Sequence, residues 1–249
     1  MEDKKKYEDN LQEDLMPEEM EMEDKMADDF DDQMPFEGVE FAENPEPRCP
    51  CILLLDTSGS MRGEPIEELN QGLASFKDEL MSDDMAMKRV ELAVVSFGPV
   101  TVESEFQTAD QFQAPYLTAE NDTPIGAAVD QALKMLEERK EQYRENGIDY
   151  YRPWVFLITD GAPTDDWRRA AEKIQAAEDA KSLMFFAVGV DRANMKILEE
   201  ISVREPLKLK GLKFRELFSW LSHSLSTVSH SQMGETVTLT SPAGWGKVE

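Results

Sequence analysis

Asp56, Ser58 and Ser60 stand at alternate positions directly after an apolar run, in the stretch CILLLDTSGSMRGEPIEEL. Side chains two apart in an extended or looping segment can point to one side, so three oxygen donors can meet at one point. Two further oxygen-bearing residues occupy comparable places. Asp160 closes the apolar run PWVFLITD, and Thr123 opens the helix-like stretch DTPIGAAVDQALKMLEERKEQYR. Asp56, Ser58, Ser60, Thr123 and Asp160 form a donor set made only of oxygen, with no thiolate and no imidazole. Hard oxygen donors select Mg²⁺, Mn²⁺ or Ca²⁺ over zinc or copper. Each residue alone has a plainer reading, as a strand-end loop cap or, for Thr123, a helix N-cap. The full set of five favours a metal.

Such residues can meet only if the elements that carry them converge. Apolar runs at 52–56, 89–98, 153–160 and 183–190 are continuous, as expected of parallel strands buried on both faces. The stretch VTVESEF, 100–106, alternates after a Gly-Pro turn and reads as an antiparallel edge strand. Residues 64–81 read as a helix, with Pro65 in its first turn and Ile66, Leu69, Leu73, Phe76 and Leu80 on one face. Further helices are expected from Thr123 (N-cap, with Pro124 at N1), from a cap at Thr164 or Asp165, near 194–201, and over 213–229. A short strand is expected near 207–210, and a polar tail from 231 with a strand-like scrap, ETVTLT. Alternating strands and helices specify an α/β, Rossmann-like open sheet of three layers, mostly parallel with one antiparallel edge strand and helices on both faces. Ligands of such sheets bind at the carboxyl ends of the strands, where Asp56 and Asp160 lie.

Charge divides the chain. The formal net is −26, and residues 1–48 carry 19 acidic and 5 basic residues of the 249-residue total. Acidic residues there are interleaved with Met, Phe and Leu, and such a segment cannot bury enough apolar surface to offset its ordering entropy. An unstructured acidic arm over 1–48, with transient helix around 18–26, is therefore expected, followed by a folded domain over 49–230 and a tail over 231–249. Nucleic acid and anionic membranes are unfavourable partners, because both need a basic surface. No apolar run approaches a membrane span, and MEDKKKYEDN lacks the apolar core of a secretory leader, so a cytoplasmic location is expected. Cys49 and Cys51 are too few and too close for a disulfide framework and read as small apolar residues in a reducing compartment.

The sequence DxSxS after an apolar strand, then a Thr opening a helix, then ITDG, resembles the metal-ion-dependent adhesion site of the von Willebrand factor A family. The likeness runs from about residue 51 to 229, and LLLDTSGSMRGEPIEELNQGL, DTPIGAAVD and VFLITDGAPTDDW are similar to the bacterial TerY-like branch. The resemblance implies that Ser58, Ser60 and Thr123 ligate the cation through hydroxyls, while Asp56 and Asp160 act largely through metal-bound water. It implies a coordination position left for a carboxylate, Asp or Glu, of a protein partner. It also implies a stress or tellurite-resistance setting, alongside a protein kinase and a PP2C-type phosphatase. Work with an AAA+ ATPase is the alternative drawn from other intracellular members. One departure is the loop END before Thr123, where this branch often carries glycines; Asp122 can tune the ion or repel an acidic ligand.

Enzyme chemistry finds less support. There is no G-x-S-x-G elbow and no glycine-rich phosphate loop. A Mg²⁺-dependent phosphohydrolase would want a second carboxylate two residues after Asp56, where Ser58 stands. His223 and His230 lack acidic or cysteine partners at ligand spacing. Trp154, Trp167 and Trp220 read as packing residues, and WRRAAEK as a solvated helix face. The arm itself could supply a carboxylate in cis. About 40 flexible residues reach roughly 35 Å, at an effective concentration on the order of millimolar.

Overall fold

A computed structural model describes residues 36–248. The chain divides into two units, Met1–Glu40 and Phe41–Glu249. Of the first unit the described residues open helix α1 (Phe36–Glu43). Everything expected of residues 1–35, including helix around 18–26, lies outside the described residues.

The second unit is built on a seven-stranded sheet in the order β3-β2-β1-β4-β5-β6-β7. The strands are β1 (Cys49–Asp56), β2 (Val90–Phe97), β3 (Val100–Thr108), β4 (Trp154–Thr159), β5 (Met184–Gly189), β6 (Leu207–Leu209) and β7 (Gly246–Val248). β1 pairs in parallel with β2 and β4, and β5 continues the parallel set to β6. β3 is the antiparallel edge strand expected at 100–106. A second antiparallel edge, β7 on β6, was not expected. The strand-like ETVTLT has no strand; β7 lies after it, past a single turn at Pro242–Gly244.

Alternation along the strands sorts the core into two layers. On one face Leu53 and Leu55 of β1, with Phe156 and Ile158 of β4, pack against α2 (Glu64–Met81) and α7 (Phe214–His230). On the other, Ile52, Leu54, Val155 and Leu157 meet α4 (Ile125–Glu145), α5 (Arg168–Asp179) and α6 (Met195–Ile201). The five apolar residues expected on one face of α2 are all buried. Each large apolar side chain so buried contributes about 1.5–3 kcal/mol. A short helix not foreseen, α3 (Asp84–Arg89), links α2 to β2, and the Asp83 carboxylate caps it by accepting from the Met85 and Ala86 N–H groups.

The folded unit begins earlier than the arm boundary anticipated. Phe41 is buried beside Tyr143 and Ile148. The Asn44 amide donates to the Lys88 carbonyl at 2.8 Å, and Glu46 pairs with Arg89 at 2.7 Å. The reason is a buried charge. Glu91, on β2, accepts from Arg48 at 2.7 Å, from Arg139 at 2.9 Å and from the Tyr143 hydroxyl. Phe41 lies over both guanidinium groups, 5.4 Å from that of Arg48 and 4.8 Å from that of Arg139. The core also takes in Trp245, from the stretch assigned to the tail. Both cysteines are free and buried, and burial pushes the Cys49 thiol up to about 12. His223 is exposed, and His230 approaches both carboxylate oxygens of Asp83 at 3.0 Å. No described helix is long and apolar enough to cross a membrane.

Candidate metal centre

The site begins where β1 ends. Asp56 is the last residue of the strand and is 0 % exposed. Ser58 follows in extended conformation, and the chain then folds into one tight turn, Gly59–Met61, closed by the Met61 N–H on the Ser58 carbonyl at 3.0 Å. That turn carries Ser60 to the surface. β4 ends beside it at Thr159, which places Asp160 one residue beyond the strand.

Hydrogen bonds join these residues. The Ser58 N–H donates to Asp56 Oδ1 at 2.7 Å. The Ser58 and Ser60 hydroxyls lie 3.0 Å apart, and Ser60 Oγ donates to Asp160 Oδ1 at 2.6 Å. Asp56 Oδ2 accepts from Thr159 Oγ1 at 2.5 Å, and Thr159 Oγ1 accepts in turn from the Gly161 N–H at 3.1 Å.

Thr123 arrives from the third loop. The segment before it is tied to the first, with the Glu120 N–H on the Thr57 carbonyl at 2.6 Å and the Gly59 N–H on the Asn121 carbonyl at 3.3 Å. Gly161 lies between Thr123 and Asp56. A methyl group built on it would sit 3.2 Å from Thr123 Oγ1 and 3.7 Å from Asp56 Oδ2. Thr123 is 6 % exposed, and its hydroxyl makes no hydrogen bond among the described residues. The structure therefore brings all five sequence-identified residues to one end of the sheet.

Electrostatics set this cluster apart. Burial raises the Asp56 carboxyl above its usual value; Ser58 and Thr159 offset part of the rise, and the charge of Asp160 adds to it. Burial also raises Asp160; the Ser60 hydroxyl opposes this, Asp191 adds to it and Arg192 opposes it. Neither carboxylate has a lysine or arginine within ion-pair distance among the described residues. Contrast Glu91, fully buried and held by two arginines. Among the described residues no three His, Cys, Asp or Glu side chains group to hold a metal. The cluster instead combines two carboxylates with three hydroxyls, a donor set suited to a hard divalent cation.

Two expectations need correction. The cap of α4 is Pro124, with Thr123 one residue earlier, because the Ala128 N–H takes the Pro124 carbonyl at 3.0 Å. Neither Thr164 nor Asp165 caps α5, whose cap is Trp167. Asp165 serves α4, accepting from the Gly126 N–H at 3.0 Å and the Ala127 N–H at 2.8 Å. Gly126 is small because the loop lies on it, with the Asp166 carbonyl 2.7 Å from a would-be methyl. Thr159 was not singled out from sequence; its place beside Asp160 in ITDG was the available signal. Two surface concavities lie away from this cluster, one of about 610 Å³ beside Asp83 and His230, another of about 630 Å³ between α5 and α6.

Comparison with known proteins agrees with this architecture. A protein of Synechocystis sp. described as uncharacterized is 24% identical over 190 residues, covering 72% of this chain; the chain spans 43% of that relative's length. The pilus adhesin SpaC of Lactobacillus rhamnosus GG superimposes with a TM-score of 0.60 at 12% identity, over 73% of this chain and 31% of its own. The vWF domain of the pilus tip protein Mfa5 of Porphyromonas gingivalis gives 0.56 at 12% identity, over 77% of this chain and 99% of its own. At these identities the likeness shows the fold. The family model for the von Willebrand factor type A domain matches residues 51–209, more than half of the sequence, and this chain belongs to that family.

Proposed function

We propose that this domain is a metal-dependent protein–protein interaction module, and not an enzyme. Members of the family often mediate metal-dependent protein interactions, and the residues here fit that use. Ser58, Ser60 and Thr123 would hold a divalent cation through hydroxyls, and Asp56 and Asp160 would supply the charge. Mg²⁺ is the first choice, since it dehydrates reluctantly and keeps several waters; Mn²⁺ and Ca²⁺ suit the same donors. The bound cation would supply a Lewis-acidic position for an Asp or Glu carboxylate of the partner.

One observation carries this reading. A fully buried carboxylate, Asp56, shares a hydroxyl cluster with Asp160, has no cationic side chain in reach, and opens to solvent through the exposed Ser60. Burying an unpaired carboxylate is costly, and a cation at this point would offset that cost. Asp122, exposed beside Thr123, adds negative charge at the rim and would weaken acidic partners. The motifs similar to the TerY-like branch support a cytoplasmic stress or tellurite-resistance setting, with a kinase and a PP2C-type phosphatase, as part of this proposal.

The test is capture of partners from native lysate by wild type and by Ser58→Ala/Ser60→Ala, each with Mg²⁺ and with EDTA. Partners held only by wild type with Mg²⁺ support the reading and name the ligand. Partners indifferent to both changes overturn it, and a hexameric ATPase among the metal-dependent ones would favour the AAA+ setting. Phosphatase activity lost in Asp56→Asn would instead make the site catalytic.

A further inference from the structure

The loop that follows Asp160 does more than connect β4 to α5. It turns back across the sheet end and fastens to the segment that carries Thr123. Thr164 and Thr123 bond reciprocally: the Thr123 N–H donates to Thr164 Oγ1 at 3.1 Å, and the Thr164 N–H donates to the Thr123 carbonyl at 3.0 Å. One turn further along, the Asp165 carboxylate forks over two amides, Gly126 through Oδ1 and Ala127 through Oδ2. These N–H groups belong to the first turn of α4, which has no intrahelical partner for them. Gly126 lets the loop approach so closely, since the Asp166 carbonyl leaves no room for a side chain.

Thr123 needs such external support. Its hydroxyl has no hydrogen bond among the described residues to orient it, and Pro124, next in the chain, has no N–H to anchor the backbone. Its position relative to Asp160 is set by how the two backbones are held together, across 36 residues of intervening chain. The Thr164–Asp165 clamp is the hydrogen-bonded link between those two backbones.

We infer that Thr164 and Asp165 are positioning residues that hold the Thr123 hydroxyl in the metal centre, an inference that rests on the metal reading above. A ligand whose supporting bonds are lost binds its metal about 10- to 100-fold more weakly. Asp165 also places a negative charge at the N-terminus of α4, where it balances the helix dipole instead of leaving that end to attract the partner's carboxylate.

The experiment is Mn²⁺ titration of the full chain, read by the electron paramagnetic resonance of the free aqua ion. It compares wild type, Thr164→Val, Thr164→Ser, Asp165→Asn and Leu136→Ala at a temperature well below every melting point. Thr164→Val keeps the shape and loses the acceptor, so its affinity should fall about tenfold, and Thr164→Ser should restore it. Asp165→Asn keeps one acceptor of two and should fall between them. Leu136, buried in α4 away from the clamp, tests for mere destabilisation; its alanine variant should melt earlier with affinity unchanged. Variants of Thr164 and Asp165 that bind Mn²⁺ within twofold of wild type would overturn the inference and leave the metal reading standing. An equal affinity loss in Leu136→Ala would reduce the effect to stability and overturn it as well. Failure of wild type itself to bind Mn²⁺ would remove both.

Discussion

At the residue scale, Ser58 and Ser60 do two jobs that separate under mutation. In the protein alone they bridge to Asp160 by hydrogen bonds; with a cation they would be its ligands. Mg²⁺ at a hundred times its dissociation constant should therefore stabilise wild type by about 2.7 kcal/mol. Ser58→Ala/Ser60→Ala should show no such rise in a thermal melt. The two aspartates give the pH dependence. Both carboxyls are raised in the folded chain by burial, above the ordinary value of 3.8. A raised group stabilises the fold below its unfolded value and loses that contribution as pH climbs through its folded value. In EDTA the melting temperature should thus carry a falling component as pH rises above about 4. Asp160→Asn should flatten that component and should also lose the response to Mg²⁺, measured by melts across pH with and without the ion.

At the element scale, short helices here depend on side chains placed outside them. α3 has six residues, too few to hold together alone. Burial pushes the Asp83 carboxyl up, but the N–H bonds of Ala86 and Met85, together with His230, outweigh it and hold it below its usual value. Asp83→Ala should cost about 1 kcal/mol in urea unfolding at neutral pH. The depressed value fixes the sign: the contribution is present above the unfolded value and disappears as pH falls through the folded one. Wild type and variant should therefore draw together in acid, once the pH falls below the ordinary carboxyl value and through the lower folded one. Much of the fold was legible at this scale. The bounds of α2 and the presence of β1, β2, β4 and β5 follow from apolar period and from Pro65, because each element has to bury one face or both; β1 starts at Cys49, three residues before the expected 52. α3 was not legible, since six residues leave too short a period to read.

At the scale of the whole molecule, the two ends of the sheet treat buried carboxylates in opposite ways. At the carboxyl ends of the strands, Asp56 is left without a cationic side chain among the described residues. Near the start of β2, Glu91 is clamped by Arg48, Arg139 and Tyr143 beneath Phe41. Removing one partner of such a buried group costs about 3–5 kcal/mol, so Glu91→Ala should lose that much in urea unfolding. The same cluster decides where the acidic arm can be cut. A chain starting at Cys49 loses Phe41, Asn44, Glu46 and Arg48 and should be destabilised by several kcal/mol; one starting at Phe41 keeps them. Whether the arm competes for the metal centre is best tested with the cut at 40 and not at 46. Tighter partner binding that persists at high salt would support competition in cis, and equal affinities there would sink it.

The sequence by itself determined the layered α/β architecture and the composition of the site. Periodicity reports which faces must be buried, and residue type reports which donors are present, and both are local properties. Tertiary structure alone decided which distant groups meet. Asp165 looks from sequence like the cap of the helix that follows it, yet it caps one that begins 40 residues earlier. Trp245 and β7 look like tail, yet they complete the sheet edge. Phe41 and Arg48 look like the end of an arm, yet a buried glutamate draws them in. A hydrogen bond between remote segments leaves no period in the chain, because its energy depends on where two backbones pass each other.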